Sequence, residues 1–235
     1  MIQIVLFLIL SCFPASAQSV PEWFIPLRES IYEQQLNANE ILPLYRETSE
    51  RARTTLSGSE QLIMLSRCEY MMGRAYQFEE KNSEAASHYS EGISYAERAI
   101  NIQPSAAAYI MLAENISQSC VVRPTSYAIA NGLKVERNAN NALKLDSRNA
   151  AAKHLIAARW VYAPAPFHNY RRGIEMLNDI INENNMEKDD MFNIYSALGY
   201  VYIQQRNTTL ARQWLQKSLE VYPTNRYVQS LLAQL

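Results

Sequence analysis

The chain has 235 residues, 48% of them apolar, and a formal net charge of −1. That apolar content excludes wholesale disorder, and six glycines are too few for a turn-rich β fold. The longest basic runs are pairs such as Arg171-Arg172, and no basic face of the kind nucleic-acid binding requires is evident.

The first 17 residues differ from all that follow. Ile2 to Leu10 is an apolar run broken only by Gln3, then come Ser11-Cys12-Phe13-Pro14 and the small-residue triplet Ala15-Ser16-Ala17. A signal peptidase cuts after such a triplet, and the apolar run is shorter than the roughly 20 residues a permanent membrane helix needs. No Lys or Arg precedes the run, so only the α-amino group supplies the usual positive charge. The expectation is an exported protein, periplasmic or extracellular, with 1–17 removed. The rival reading takes Ile9-Leu10-Ser11-Cys12 as a lipidation site, which would anchor Cys12 to a membrane but leave a signal of only 11 residues. After cleavage, Cys68 and Cys120 remain, a poor disulfide framework, and are expected to stay unbridged.

Residues 18–56 carry no repeat signature. They read as two helices, Pro26 to Ala38 and Glu40 to Thr55, with Pro43 in a first turn, forming an N-terminal cap or degenerate repeat. Ser57 and Glu60 predict a capping box for the next helix. Small residues then recur at Gly73, Ala113, Ala157 and Gly199. That period alone would also suit HEAT-like repeats; the register of the first and last units decides for four helix pairs at about 57–104, 105–147, 148–190 and 191–225. The first pair has Met72, Gly73 and Tyr76, then Ala85 and Tyr89, with a long second helix near Ser83 to Ile102 closed by Pro104. The second has Tyr109, Leu112, Ala113 and Ile116 and closes over Asn141 to Asp146. The third has Ile156, Ala157 and Trp160, then Gly173, Leu177 and Ile180 across a loop lengthened by Ala163-Pro164-Ala165-Pro166-Phe167. In the fourth, Met191, Tyr195, Leu198 and Tyr202 make one helical stripe and Ala211, Leu215, Ser218 and Tyr222 a second. Asn207-Thr208 separates the stripes and Pro223 ends the second helix. The tail, 226–235, reads as a short capping helix.

The fourth unit resembles the tetratricopeptide (TPR) repeat: Leu198, Gly199, Tyr202, Ala211 and Pro223 match in identity and Tyr195, Leu215 and Ser218 conservatively. The first unit keeps that spacing through Gly73, Tyr76 and Ala85 but departs at Glu69, where the family prefers an aromatic. The resemblance extends over 57–225, and more loosely to exported TPR proteins associated with TRAP transporters. It implies an all-α, TPR-like α-solenoid of antiparallel helix pairs with some elongated second helices, whose first helices line a concave groove.

The groove positions implied by the resemblance are Arg67, Tyr70, Arg74, Gln77 and Phe78 in the first unit, and Ile110 and Glu114 in the second. The third contributes His154 and Tyr162, the fourth Asn193, Tyr200 and Gln204. Tyr and Arg are enriched at binding hot spots, and two arginines suit a carboxylate partner. The bland alternative pairs Arg67 and Arg74 with Glu69, Glu79 or Glu80. The proline loop either shapes a pocket or stiffens a linker. No phosphate loop, nucleophile elbow or metal-spaced histidine cluster is found, so no catalytic residue, cofactor or metal is expected. The expected function is non-enzymatic binding of a partner protein or peptide in the groove. The alternative is a component that binds a small or hydrophobic ligand, of the transporter-associated kind.

Overall fold

A computed structural model describes residues 20–235. The expected signal segment and Cys12 lie outside the described residues. Among the described residues the fold is all-α.

A 3-10 turn, Glu22–Phe24, leads into α1, Ile25–Glu33, which stops where Gln34 turns left-handed at φ 55°. α1 is therefore shorter than the helix expected to reach Ala38. α2, Ala38–Thr55, starts two residues earlier than expected because Asn37 and Glu40 form a reciprocal capping box. That start places Pro43 inside the helix rather than in its first turn. The box expected at Ser57 is not made: Ser57 is the N-cap of α3, Gly58–Phe78, but its side chain accepts no cap hydrogen bond, and Gly58 takes φ +58°.

Four antiparallel pairs follow. They are α3 with α4, Asn82–Ile102; α5, Ala106–Val122, with α6, Thr125–Leu145; α7, Ala150–Tyr162, with α8, Tyr170–Glu183; and α9, Lys188–Gln204, with α10, Thr208–Val221. α11, Arg226–Ala233, closes the chain. Within each pair the helices pack along their length, and α3, α5, α7 and α9 also pack in succession, so the pairs stack as a solenoid. α4 and α6 are the elongated second helices, at 21 residues each.

Small residues set the spacing within pairs. A Cβ on Gly73 would lie 2.5 Å from the Tyr89 ring and one on Gly199 2.5 Å from Leu215 Cδ2. Ala113 and Ala157 are fully buried at the equivalent places. Glu69, the departure from the repeat pattern, is 5% exposed and ties three helices together: it accepts from Tyr45 of α2 at 2.6 Å and meets Nδ1 of His88 of α4 at 2.7 Å. Cys68 and Cys120 are both free. Cys68 is fully buried, which pushes its thiol up to about 12, so it is the inert one of the two.

The two ends of the array meet. Tyr32 of α1 stacks on Tyr222 at 4.8 Å and meets Phe192 edge-on at 5.4 Å. Arg28 lies 3.6 Å from Asp189 and 4.0 Å from Glu187, while Lys188 pairs with Glu29. The carbonyls at the end of α1 are taken by the far end of the chain: Asn225 Nδ2 donates to Tyr32 O at 2.6 Å and Thr224 Oγ1 to Glu33 O at 2.8 Å. A helix leaves such carbonyls without intrahelical donors, so these bonds satisfy the end of α1 that the left-handed Gln34 creates. α1 thus does more than the N-terminal cap expected from the sequence. It packs on α3 and reaches α9, bridging the first and last pairs.

Gly199→Leu should wedge α9 from α10 and cost about 1–3 kcal/mol or more. Gly132→Leu, where an added Cβ meets nothing within 4 Å, should leave the melting temperature unchanged or higher. Equal melting of the two variants would contradict the packing described.

Candidate functional site

The groove positions expected from the sequence lie on the first helices α3, α5, α7 and α9, and α1 packs on α3 and reaches Asn193 of α9. Arg74 is the anchor on α3. Its guanidinium donates to the Tyr70 hydroxyl at 3.0 Å and lies over the rings of Phe78 at 5.1 Å, Tyr32 at 5.5 Å and Tyr70 at 5.7 Å. Neither Arg74 nor Arg67 pairs with the acidic residues of α3 or its turn. Glu69 is taken by Tyr45 and His88, and Glu79 by Lys81 and the Ala38 N–H. Arg67 Nε is buried with no hydrogen-bond acceptor among the described residues, as is Nε2 of His154.

Opposite stand carboxylates. Burial, then Asp189 and Asp190, outweigh the pull of Arg67 and Arg74 and push Glu114 from its usual 4.5 to about 8. Burial and Asp189 likewise push Asp190 to about 7, even though Asp190 also accepts from the Glu187 N–H in a capping box. His154 is held the other way: burial lowers it to about 4, so it is neutral at physiological pH. Tyr162 and Tyr200 meet at 5.0 Å between ring centroids at the other end of the face. The face therefore presents cations on α3, carboxylates on α5 and α9, and an aromatic wall from α7 and α9.

Not every expected position is available. Ile110 is 8% exposed and packs with Ala139 and Leu155 between helix pairs, and Tyr70 is 5% exposed beneath Arg74. Gln77 accepts from the Tyr89 hydroxyl at 2.6 Å, and Asn193 donates to the Tyr32 hydroxyl at 3.3 Å. Their polar ends are occupied inside the protein. Phe78 and Gln204 are exposed near the C-terminal ends of α3 and α9. The proline loop keeps Phe167 66% exposed.

Tyr32, Arg28, Asp189, Asp190 and Tyr227 belong to this surroundings and were missed by sequence reasoning. Asp189 and Asp190 lie in the first turn of α9, where Asp190 also completes a capping box with Glu187. Nothing local marks Tyr32 as a partner for residues nearly two hundred positions later. No group of His, Cys, Asp and Glu among the described residues is placed to hold a metal ion. No described helix is long and apolar enough to cross a membrane.

Fold and site together define an all-α array of antiparallel helix pairs, closed by its first helix around a charged and aromatic concave face. The family model described as regulator of microtubule dynamics protein 1-3 matches residues 28–232. The chain belongs to that family, and the match runs from the closing helix α1 to α11. No curated protein matches the chain.

The raised carboxylates give a sign for pH dependence. Unfolded, Glu114 ionises near 4.5; folded, it holds its proton to about 8. Its contribution is complete at low pH and is lost as pH rises toward 8. Glu114→Gln should therefore match the parent at about pH 4 and melt progressively higher than the parent as pH rises to about 8. A constant offset across that window would contradict the burial of Glu114.

Proposed function

We propose that the chain is a non-enzymatic interaction module of TPR type that holds a partner polypeptide on its concave face. The observation that carries this reading is the gathering of Arg67, Glu114, His154, Tyr162 and Tyr200 from four successive first helices, with Arg67 Nε and His154 Nε2 lacking internal partners. A buried donor left unmade costs about 1–3 kcal/mol, so a polypeptide that supplies acceptors there gains what the empty face forgoes. The family's description concerns microtubule dynamics, which makes tubulin the first partner to test. Export rests on residues 1–17 alone and supports instead a partner in the cell envelope. Both partner classes use the same face.

Closure by α1 favours one second reading. An aromatic wall of Tyr162 and Tyr200 on a closed array suits a compact, partly apolar ligand better than an open groove would, and such a ligand would bind without any protein partner.

The test is capture of partners by the purified protein from its native extract, followed by titration with purified tubulin. Tyr162, 46% exposed, can be truncated with little loss of packing. Tyr162→Ala and Arg67→Ala should keep near-parental melting and weaken partner binding by about 1–2 kcal/mol each. Arg74→Ala should lower stability, because three aromatic rings pack on its guanidinium. Undiminished binding by Tyr162→Ala and Arg67→Ala would remove the concave face from the reading.

A further inference from the structure

The balanced net charge conceals a local imbalance. Between Asn115 and Ile174 stand nine Lys and Arg against two Asp and Glu, in a chain whose net charge is −1. Some of these cations are engaged: Arg123 donates to Ser90 and to Ala86 O, Arg159 pairs with Glu136, and Lys153 with Glu183. Lys134, Arg137, Arg148 and Arg171 are exposed and make no ion pair among the described residues.

The same region exposes large apolar side chains. On α6, Ile129 is 79% and Leu133 68% exposed, one helical turn apart. Helical spacing continues that row through Arg137, Asn140 and Lys144. Leu133, Arg137, Asn140 and Lys144 line one shallow depression of about 320 Å³ together with Asn141 and Glu136, the latter paired with Arg159. The row lies on the second helix of its pair, away from the face shared by the first helices, and no other described element covers it.

We propose that this outward row of α6 docks the protein peripherally on an anionic lipid bilayer. Aliphatic side chains flanked by Lys and Arg on one helical face are the pattern of an interfacial helix, in which apolar groups enter the headgroup region and cations meet lipid phosphates and carboxylates. A single exposed helical row beside a shallow depression offers no groove to wrap a peptide, whereas a bilayer accepts exposed side chains such as Ile129 and Leu133. A second copy is disfavoured by charge, because Arg137 and Lys144 in the row and Lys134 beside it outnumber the one acid there, Glu136, which Arg159 already holds. An acidic polypeptide would answer the cations but offers no apolar medium for Ile129 and Leu133.

The test uses the full chain with phosphatidylcholine vesicles, with and without phosphatidylserine, in flotation assays. Binding should rise with phosphatidylserine and fall with salt. The double variant Lys134→Glu/Arg137→Glu should weaken it by about tenfold or more, as expected from about 1 kcal/mol per cation. Ile129→Ser/Leu133→Ser should weaken it at every salt concentration while melting as the parent does. Arg212→Glu, exposed on α10, should bind normally. The apolar run at Ile2 to Leu10 could itself hold vesicles, but that binding would ignore both α6 double variants and the anionic lipid. The proposal is overturned if both α6 variants bind phosphatidylserine vesicles like the parent, or if Arg212→Glu weakens binding as much as they do. It is also overturned if the parent is a dimer that Ile129→Ser/Leu133→Ser dissolves. Retention on immobilised polyglutamate without any preference for anionic vesicles would overturn it in favour of an acidic protein.

Discussion

Tyr32 stacks on Tyr222 and meets Phe192 edge-on, and through these three rings the first and last helix pairs share one core. An α-solenoid left open must hide an apolar surface at each end. Here α1 packs on α3 with Leu27 and Ile31 fully or nearly fully buried, and reaches α9 and the turn after α10 with Tyr32. Each aromatic pair adds about 0.5–1.5 kcal/mol beyond the area it buries. The side-chain bonds from Thr224 and Asn225 to the end of α1 add direction to that contact.

Closure also sets the electrostatics. Bringing the start of α9 toward α1 places Asp189 beside Arg28 and puts Asp190 and Glu114 in one partly desolvated neighbourhood with Arg67 and Arg74. Carboxylates that hold their protons toward neutrality, a neutral histidine and a ring-stacked arginine follow from that geometry. The outer surface obeys a different rule. The cations of α6 are solvated, and its apolar row remains uncovered by any described element. One scaffold thereby separates a concave face suited to a chain-like or compact partner from an outward face suited to a charged planar surface.

Local pattern carried much of this into the sequence. Gly199 over Leu215 and Gly73 over Tyr89 were legible because a pair of helices needs a small residue where it crosses; the start of α9 was not, since it begins at Lys188, inside the stretch expected to belong to the third pair. The caps were less legible. Ser57 and Glu60 had the right letters, yet the working box is Asn37 with Glu40, because Gly58 enters α3 in a left-handed conformation. At the site, repeat register led to the expectation that Arg67, Arg74, Glu114, His154, Tyr162 and Tyr200 share one face. Register alone could not tell that Ile110 would be sealed between pairs or that Asn193 would be occupied by Tyr32. Closure itself was illegible, since stacking between residues so far apart in sequence has no period. The basic region was hidden by averaging, because the rest of the chain is acidic enough to cancel it.

The most direct measurement of closure is hydrogen exchange on Tyr32→Ala compared with the parent. If α1 joins the ends, the substitution should speed exchange in α1 and also in α9 to α11, at 188–233, while leaving α5 and α6 nearly as protected as before, although they lie nearer in sequence. Loosening confined to α1 to α3, with α9 to α11 unchanged, would contradict the account.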